Sequence, residues 1–481
     1  MTDDLTARAA VEYRADRDKA LRAKRPKPVG NGEDISPFSE VALAEQFVER
    51  HPNLRFVAAW GKWMLWTGTH WRPDDTLHVF DLARLIAKEA ARTCNKPKTA
   101  SLIASAKTVA AIERLARSDR RLAASVDHWD ADPWLLNTPI GVVDLRTGQL
   151  RAHRPEDYMT KMTAVGPSSA GCPTFMSFLA RIAKEDEEHI SYLRRMLGYS
   201  LTGVTREQAL FFGHGTGGNG KGVFVKVVSG IWKDYHTQAS MEMFMASKTD
   251  RHPTDLAGLR GARLVTATET EKGRQWAEAR IKALTGEDLI RARFMRQDEF
   301  TYEATYKLFM IGNSTPRFEG GVDEAMRRRL HLIPFDVKIP EAERDRELAD
   351  KLKAEAESIL QWCIEGCLEW QRIGLNPPTT VVSATASYLA DEDTVLAWID
   401  DKCTFNADKF ESSSALFASW SAWARANGEA AGSRKDFAKA IVSHGCVPDR
   451  ATGGTRGFKG LRIAVDQPPD ETPKTYRERR E

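Results

Sequence analysis

A glycine-rich stretch, GTGGNGKG, at residues 215–222 constrains the fold more than any other feature of this 481-residue chain. An apolar segment, Leu210 to Phe212, precedes it, and an apolar segment with helical spacing follows it. In this order of strand, turn and helix, the spacing G-x4-G-K is typical of a phosphate-binding loop. Its glycines let backbone N–H groups converge on phosphate oxygens, and the start of the helix adds a positive dipole. A flexible glycine turn is the alternative.

The loop predicts a set of contacts to a nucleotide, in which Lys221 reaches the β- and γ-phosphates. The predicted nucleotide-binding residues are Gly215, Thr216, Gly217, Gly218, Asn219, Gly220, Lys221, Gly222 and Val223. Gly222 stands where a Ser or Thr hydroxyl usually helps to hold Mg²⁺. Because Mg²⁺ usually keeps several waters, a water could replace that hydroxyl. We therefore predict an active ATPase with weakened affinity for Mg²⁺, and an inactive one is the alternative.

Two further apolar strands are expected to end beside the loop. The segment ARLVTATETEKG carries Glu269 and Glu271 after an apolar run, where a carboxylate can bind Mg²⁺ or polarise the attacking water. Alternation along an extended chain places both acids on the same side. The segment YKLFMIGNSTP contains Asn313, whose amide can orient the lytic water. A turn-forming Asn is the alternative.

Three consecutive arginines, Arg327, Arg328 and Arg329, come just before a fourth apolar strand, LHLIPF. At the edge of a subunit, an arginine can stabilise transition-state charge on the ATP of a neighbouring copy, an effect worth roughly a thousandfold or more in rate. A solvated basic run is the alternative that this segment alone leaves open.

The order of these motifs resembles that of one protein family. GTGGNGKG, LVTATETE, KALTGEDLIRARF, LFMIGN and RRRLHLIPF are similar to the motifs of the superfamily 3 helicases, specifically the phage and plasmid primase-helicase group related to the poxvirus NTPase. Upstream, LLNTPIGVVDLRTGQL, CPTFMSFLARI and LGYSLTG are similar to the domain that precedes the ATPase in these proteins. The resemblance covers about residues 40 to 340 and is weaker beyond them.

The resemblance implies an AAA+ ATPase module that assembles as a homo-hexameric ring around DNA. Such a ring couples hydrolysis of ATP, with Mg²⁺ as cofactor, to translocation, and its implied partners are single-stranded and forked DNA. The residues with implied catalytic roles are Lys221 (phosphate lysine), Glu269 with Glu271 nearby (Walker B acids, Glu269 holding the metal), Asn313 (sensor) and Arg328 or Arg329 (arginine finger).

The family also places a DNA-gripping hairpin between the second and third core strands. Here that segment is LIRARFMRQDEFTYEATY, with Arg293 and Arg296 near its turn, where they would contact phosphates in the pore. Lys282, from the preceding family motif, is a further expected DNA contact. A structural sheet ribbon with solvated arginines is the alternative.

Composition and pattern divide the chain into parts. We expect an α/β AAA+ ATPase core, with a parallel sheet flanked by helices, preceded by an α+β domain and followed by a winged-helix domain. The expected parts are a disordered basic arm (1–36), the N-terminal α+β domain (37–170), a helical collar (171–205), the ATPase core (206–340), a helical lid (341–384), the winged-helix domain (385–465) and a disordered tail (466–481).

Four tryptophans surround a hairpin that is expected at Gly61 and Lys62. Aromatic residues at strand spacing are usually core, so packing on a sheet is favoured over stacking on bases. The four are Trp60, Trp63, Trp66 and Trp71.

A basic, glycine-rich turn lies near the C-terminal end of the chain. Helices followed by such a turn and a short strand favour a winged helix. Arg450, Arg456 and Lys459 flank the turn TGGT, and a basic wing tip commonly meets phosphates. An ordinary surface loop is nearly as well supported.

The composition excludes some classes of protein. Hydrophobic residues make up 42% of the chain, and no apolar run is long enough to span a bilayer. The N-terminal stretch is charged and lacks the apolar core of a secretory signal, so we expect the cytoplasm of a bacterial host cell. Six scattered cysteines form no disulfide framework, and Cys363 and Cys367 fit an apolar helix stripe better than a metal site. The net charge of +3 requires any nucleic-acid surface to be local.

Together these features predict an ATP-dependent DNA helicase of a phage, plasmid or integrated mobile element. About 35 tail-like residues precede Phe38, too few for a primase module, so a separate primase or initiator is an expected partner. An ATP-regulated initiator that binds an origin with little unwinding is the main alternative. A defence or packaging motor is a third, whose usual nuclease or portal-binding parts are not evident in the sequence.

Overall fold

The computed structural model describes residues 36–247, 254–268, 275–295, 298–318, 322–429, 431–451 and 454–464. The described chain forms two compact units. One contains the residues up to Leu65 together with Pro73–Ser125, and the other contains Trp66–Arg72 and the residues from Val126 onward. The predicted arm, apart from its last residue, and the predicted tail from residue 466 lie outside the described residues. The same holds for Glu269, Glu271 and Arg296.

The N-terminal part of the chain contains the hairpin that the sequence predicts. Its helices and strands are α1 (Glu40–Arg50), β1 (Leu54–Val57), β2 (Lys62–Trp66), β3 (Trp71–Pro73), α2 (His78–Thr93), α3 (Pro97–Ile103) and α4 (Ala106–Ala116). Strands β1 and β2 pair in antiparallel fashion, from Leu54 opposite Leu65 to Val57 opposite Lys62. The turn between them ends at Gly61, whose φ of +62° favours glycine.

Two of the four tryptophans are buried. Trp63 is 7% exposed, and its Nε1 donates to Oε1 of Glu113 at 2.6 Å. Trp71 is fully buried, and its Nε1 donates to a backbone oxygen at 2.9 Å. Trp60 and Trp66 are half-buried. Packing in a core is therefore confirmed for Trp63 and Trp71.

The next elements belong to the second unit rather than to the first. They are β4 (Leu135–Thr138), β5 (Gly141–Asp144), β6 (Gln149–Arg151), α5 (Pro173–Ile182) and α6 (Glu187–Leu201). Strands β4, β5 and β6 form an antiparallel sheet, and Leu136, Val143 and Leu145 share one core with residues of α5 and α6. The expected 37–170 domain therefore differs from the structure after Ser125, because the apolar side chains that follow pack on the helices of the second unit.

A parallel sheet forms the centre of the second unit. The elements of this part are β7 (Leu210–His214), α7 (Lys221–Trp232), β8 (His236–Gln238), α8 (Thr254–Ala257), β9 (Leu264–Thr268), α9 (Glu278–Thr285), β10 (Leu289–Arg293), β11 (Glu299–Glu303), β12 (Lys307–Gly312), α10 (Glu324–Arg327) and β13 (Leu330–Pro334). Within the described residues, five parallel strands lie in the order β13-β7-β12-β9-β8. The apolar runs of β7, β9 and β12 are buried almost throughout, as expected where both faces of a sheet are covered.

The sequence predicts four of these strands and misses β8. Its residues, His236, Thr237 and Gln238, contain no apolar run that would indicate a strand. As a result, β9 and β12 are the third and fourth strands of the sheet along the chain, not the second and third. The hairpin expected between them is present, because β10 and β11 pair in antiparallel fashion.

Helices that follow the sheet pack on different elements: the first on α5 and α7, the second on α6 and the third on β13. They are α11 (Leu348–Ala354), α12 (Ala356–Ile373) and α13 (Thr379–Asp391). Helices α6 and α12 cross closely, since a Cβ on Gly198 would overlap the backbone of Gly366 and Cys367. Cys363 and Cys367 are both buried in α12, which confirms the apolar stripe. In the part of the chain that is described, no helix has the length and apolar character to cross a bilayer.

The last elements form a small α+β domain. They are α14 (Thr394–Lys402), β14 (Cys403–Ser412), α15 (Ser413–Ala426), α16 (Arg434–Ser443), β15 (Val447–Arg450) and β16 (Arg456–Ile463). The three strands form an antiparallel sheet in the order β14-β16-β15, over a core that includes Trp398, Trp420 and Phe437. The sequence gives no sign of β14, since it is mostly exposed and forms by pairing with the distant β16.

Candidate functional site

The predicted phosphate loop connects β7 to α7 at the carboxyl edge of the parallel sheet. It occupies residues 215–220. Gly217, Gly218 and Gly220 have φ angles of +95°, +64° and +87°, in the left-handed region that favours glycine. A Cβ on Gly220 would lie 2.9 Å from the ring of Phe178 in α5, so space also demands glycine there. The glycines are thus required by the shape of the loop.

Lys221 is the first residue of α7 and is 6% exposed. Its ammonium donates hydrogen bonds to the backbone oxygen of Gly215 and, at 3.2 Å, to Oδ1 of Asn313. Burial lowers the pKa of Lys221. Among the residues that the structure describes, no carboxylate forms an ion pair with this ammonium. A buried cation beside a glycine loop fits the terminal phosphates of a nucleotide, whose charge would offset the cost of burial.

Asn313 reaches the loop because of strand pairing. Strand β12 pairs in parallel with β7 up to Gly312 opposite His214, so the next residue, Asn313, lies beside the start of the loop. His214 also lies beside the start of the loop. Apart from this position, nothing in the sequence pattern indicates a role for it. Burial, with the nearby charge of Lys221, lowers the pKa of His214 below its ordinary value. The imidazole is therefore mainly uncharged at neutral pH.

The segment that follows β13 covers the outer side of the loop. Phe335 N donates to the backbone oxygen of His214 at 2.7 Å, and Phe335 O accepts from Nδ2 of Asn219 at 2.8 Å. Ile339 N donates to the backbone oxygen of Gly218 at 2.9 Å. The buried amide of Asn219 thus links the loop to the segment that follows β13. Apart from the position of the segment after the last strand, no local pattern in the sequence indicates this contact.

The two predicted acids, Glu269 and Glu271, lie outside the described residues. Strand β9 ends at Thr268, which pairs in parallel with Ile311 of β12. The chain therefore leaves the sheet after β9 at the same edge as Asn313 and the phosphate loop. The acids remain a prediction for this edge.

The three consecutive arginines have different surroundings. Arg329 is 6% exposed, and it donates from Nε to Oγ1 of Thr285 at 3.1 Å and from Nη1 to the backbone oxygen of Ala325 at 2.8 Å. Arg329 therefore points into its own chain, and the expectation that it could be an arginine finger is wrong. Arg328 is exposed, and its Nη2 donates to Oε1 of Gln208 at 3.2 Å.

Arg327 contacts the C-terminal domain. Its Nη2 lies 3.4 Å from Oδ2 of Asp393, a buried residue between α13 and α14. Oδ1 of the same carboxylate lies 3.2 Å from Nε2 of His444 and accepts from the backbone N–H of Leu396 at 3.0 Å. These contacts hold the pKa of Asp393 below its usual range despite burial. Arg328 is therefore the arginine of the three that is open to another copy.

The arginines and the phosphate loop lie at opposite edges of the sheet. The backbone oxygen of Arg329 accepts from Leu210 N at 2.7 Å, which places the arginines beside the start of β7. The loop begins after the end of this strand of 5 residues. At roughly 3.3 Å per residue, the two groups are separated by about 17 Å along the strand. Arg328 therefore cannot serve the loop of its own chain.

The predicted DNA-binding residues differ in whether they form ion pairs within the chain. Lys282 forms ion pairs with Asp323 and, at 3.5 Å, with Glu278, so its charge is already neutralised within the chain. This pairing disfavours Lys282 as a direct contact to DNA phosphates. Arg293 lies at the end of β10, opposite Glu299, next to the exposed tip of the hairpin. Arg296 lies outside the described residues.

The basic residues near the C-terminal turn lie on the hairpin of β15 and β16. Arg450 and Arg456 face each other across the two strands. Lys459 is exposed, and its Nζ lies 2.8 Å from Oδ2 of Asp449. A surface pair of this kind contributes little to stability, so Lys459 remains available to another anion.

Two known protein families match separate parts of the chain. Residues 44–184 match a family described as "D5 N terminal like". Residues 213–329 match a family described as "Family of unknown function (DUF5906)". The second match begins just before the phosphate loop and ends at the buried arginine, so it contains the whole predicted site apart from its outer cover.

Viral proteins match over more than half of the chain. "Putative helicase L207/L206" of Acanthamoeba polyphaga mimivirus is 22% identical over 296 residues, which is 56% of this chain and 31% of that protein. "Putative helicase 022R" of Frog virus 3 (isolate Goorha) is 20% identical over 318 residues, which is 61% of this chain and 32% of that protein. The chain spans about a third of the length of these curated relatives.

These matches support the resemblance of the chain to the phage and viral superfamily 3 primase-helicases. Both of these viral relatives are named as putative helicases. "The A form apo structure of NrS-1 C terminal region-CTR" covers 88% of this chain and 99% of its own, at 10% identity and a TM-score of 0.48. This structural likeness is too low to support a conclusion.

Proposed function

We propose that this chain is an ATP-dependent DNA helicase of a phage, plasmid or integrated mobile element, which translocates on DNA as a ring and unwinds it during replication. One observation carries the proposal. The ammonium of Lys221 is buried beside a glycine loop and is held by Gly215 and Asn313, which are uncharged. Desolvation of a cation without an anion is costly, and the triphosphate of ATP would supply that anion.

The exposed position of Arg328 supports a shared site in an AAA+ homo-hexamer. Its own phosphate loop is at the far edge of the sheet, so the ATP within its reach belongs to another copy. A head-to-tail interface presents one edge of each subunit to the opposite edge of the next, and such interfaces close into rings. In this arrangement Arg328 stabilises the charge that develops on the transferred phosphate.

Mg²⁺ is the cofactor of the proposed reaction, and it neutralises phosphate charge when bound. Glu269 and the phosphates would hold the ion. Gly222 is exposed, and no heavy atom lies within 4 Å of the position that a Cβ would take. There is thus room beside the loop for a water in place of the usual hydroxyl.

Two surfaces offer contacts to single-stranded or forked DNA. One is the hairpin of β10 and β11, with Arg293 at the end of its first strand. The other is the C-terminal domain, whose order of helix, strand, two helices and two strands supports the proposal of a winged helix, with Arg456 and Lys459 on its hairpin. Phosphate contacts of this type position a protein without specifying sequence.

The test is the rate of ATP hydrolysis with and without single-stranded DNA, for the parent and for Lys221→Ala. We expect the parent to hydrolyse ATP faster with DNA, and the variant to show no hydrolysis above background at either condition. Lys226→Ala is the matched control, because Lys226 is an exposed lysine on the same helix. A parent that does not hydrolyse ATP, or a Lys221→Ala variant that matches it, would refute the proposal.

An origin-binding initiator is the second candidate, and the C-terminal domain favours it. A winged-helix order is common to proteins that recognise duplex DNA. Strand displacement on a forked duplex separates the two functions. The helicase displaces the strand in the presence of ATP. The initiator binds duplex DNA in an ATP-dependent manner and leaves the fork intact.

A further inference from the structure

The segment between β13 and α11 holds an arginine over the phosphate loop. In this segment, Ile339 binds the backbone oxygen of Gly218 through its N–H at 2.9 Å. The guanidinium of Arg344 then folds back onto the same glycine. A Cβ on Gly218 would lie 2.7 Å from Nη2 of Arg344 and 3.4 Å from its Cζ. The side chain therefore contacts the loop itself, although Arg344 is exposed to solvent.

A backbone hydrogen bond fixes this position. Nε of Arg344 donates to the backbone oxygen of Ile339 at 3.1 Å, the same residue whose N–H binds the loop. Ile339 thus links the guanidinium and the loop through its two backbone groups. A guanidinium carries five N–H donors in a rigid fork, and this contact uses one of them. The remaining donors are left for a ligand above the loop.

The acidic neighbours of Arg344 are engaged by other cations. Glu343 forms an ion pair with Arg181 of α5, and Asp345 lies 2.7 Å from Nζ of Lys351 in α11. Within the described ranges, no carboxylate lies within 4.0 Å of the Arg344 guanidinium. In the run Glu343, Arg344, Asp345 both acids thus have cationic partners other than the arginine between them.

We propose that Arg344 binds the phosphate chain of the nucleotide held by its own chain. The inference rests on the proposed ATP site. Guanidinium groups match phosphate oxygens with two parallel hydrogen bonds, which a lysine cannot reproduce. Arg344 would act on the bound nucleotide in its ground state, in contrast to Arg328, which would act on a neighbouring copy during hydrolysis. The ligand class is a nucleoside diphosphate or triphosphate.

The test is the affinity of the full chain for ATP, ADP and adenosine, measured by isothermal titration calorimetry. We expect Arg344→Gln to bind ATP and ADP about tenfold more weakly than the parent, since a hydrogen bond to a charged group is lost. Arg344→Lys should recover part of this affinity, because it keeps the charge and loses the fork. Adenosine, which has no phosphate, should bind all variants equally. Arg346→Gln, two residues away and exposed, is the matched control and should equal the parent.

The outcomes separate this inference from the proposed function. If the parent binds no ATP, the ATP site itself is refuted and the inference falls with it. A second outcome is that the parent binds ATP and Lys221→Ala does not, while Arg344→Gln binds ATP with the affinity of the parent and of Arg346→Gln. In that case the ATP site stands and the role of Arg344 is refuted. Because Arg344 is exposed, an unchanged melting temperature should accompany its loss of affinity. A lowered melting temperature with equal loss for adenosine would also contradict the inference.

Discussion

The positive side chains at the two edges of the parallel sheet differ in their burial and in their hydrogen-bond partners. At the carboxyl edge, Lys221 is buried and donates to two uncharged oxygens, from Gly215 and Asn313. At the amino edge, the buried Arg329 is satisfied by its own chain, while Arg328 beside it is exposed. Within the described residues, the cation at one edge is buried without an ion-pair partner, and the other edge presents an exposed cation.

Under the proposed function, neither edge by itself forms a complete catalytic site. Under the proposed function, the carboxyl edge binds a triphosphate, but the arginines of the same chain lie about 17 Å away along the strand. The amino edge has an available arginine but no loop to bind phosphate. In the proposed ring, the edges of two copies meet, and each would supply what the other lacks. The comparison therefore predicts that residues at the two edges affect binding and hydrolysis separately.

Arg328→Ala has the largest expected effect at the amino edge. We expect the kcat of ATP hydrolysis to fall by roughly a thousandfold, because an arginine finger supplies charge to the transition state. ATP affinity and the melting temperature should stay at the parent values, since the side chain is exposed. Steady-state hydrolysis, calorimetric titration and thermal denaturation measure the three quantities.

Arg329→Ala is the control for this prediction. It should lower the melting temperature, because it removes a buried side chain and its hydrogen bonds to Thr285 and Ala325. An Arg328→Ala variant with the kcat of the parent would break the comparison, since the amino edge would then contribute nothing to the site.

Asn313→Ala tests the carboxyl edge and should have a smaller effect. We expect kcat to fall by roughly a hundredfold, the order found when one positioned polar group is removed from an active site. The amide also accepts from Lys221, so ATP affinity should fall modestly in the same variant. Ser314→Ala, at the next residue, is the control and should hydrolyse ATP like the parent. Equal activities for the two variants would remove Asn313 from the site.

His331 connects the amino edge to α6 and predicts a dependence of stability on pH. Its Nδ1 lies 2.9 Å from the hydroxyl of Tyr192, and burial lowers the pKa of His331 to about 4. The unfolded chain, with a histidine pKa of about 6.5, binds a proton that the folded chain excludes between these values. The contribution of the neutral imidazole to the free energy of unfolding is fully present above pH 6.5. It falls by up to about 3 kcal/mol as the pH drops to 4.

His331→Gln tests this dependence, because it keeps a hydrogen-bond partner for Tyr192 and does not titrate. The melting temperature of the variant should change less between pH 6.5 and 4 than that of the parent. The exposed His78→Gln is the control and should keep the slope of the parent. A His331→Gln variant with the slope of the parent would contradict a buried neutral imidazole at this edge.

Gly222→Ser should have the smallest effect and the opposite sign. The backbone at Gly222 does not have a positive φ, and an added Cβ has no heavy atom within 4 Å, so a serine fits. Its hydroxyl would replace a water near Mg²⁺. We expect the Mg²⁺ concentration for half-maximal hydrolysis to fall by a few fold, about the effect of one hydrogen bond. Gly222→Ala is the control, and an equal shift in both variants would show that the hydroxyl is not involved.

Much of the carboxyl edge could be predicted from the sequence, since its signals are local. The glycine spacing, the apolar runs of β7, β9 and β12, and the position of Asn313 after β12 follow from residues that are close along the chain. Strand β8 could not be predicted, because its three polar residues become a strand through pairing with β9. For the same reason β14 forms by pairing with the distant β16.

The separate surroundings of the three arginines could not be predicted either. Arg327, Arg328 and Arg329 are chemically identical and consecutive, so their pattern contains no information on which one is buried. Tertiary contacts decide it: Arg329 meets Thr285 at the end of α9, and Arg327 meets Asp393 beyond α13. Likewise, the place of Arg344 over the loop depends on how the segment after β13 folds back.

The most direct measurement mixes two variants that are each expected to be inactive, Lys221→Ala and Arg328→Ala, in equal amounts under conditions that allow subunits to exchange. In a mixed ring, the Arg328→Ala subunit supplies an intact phosphate loop and the Lys221→Ala subunit supplies an intact arginine. If the site is shared between copies, hydrolysis should recover to about a quarter of the parent rate, the fraction of interfaces with both groups intact in a random mixture. If the mixture of exchanged subunits stays as inactive as either variant alone, the two edges do not form one site.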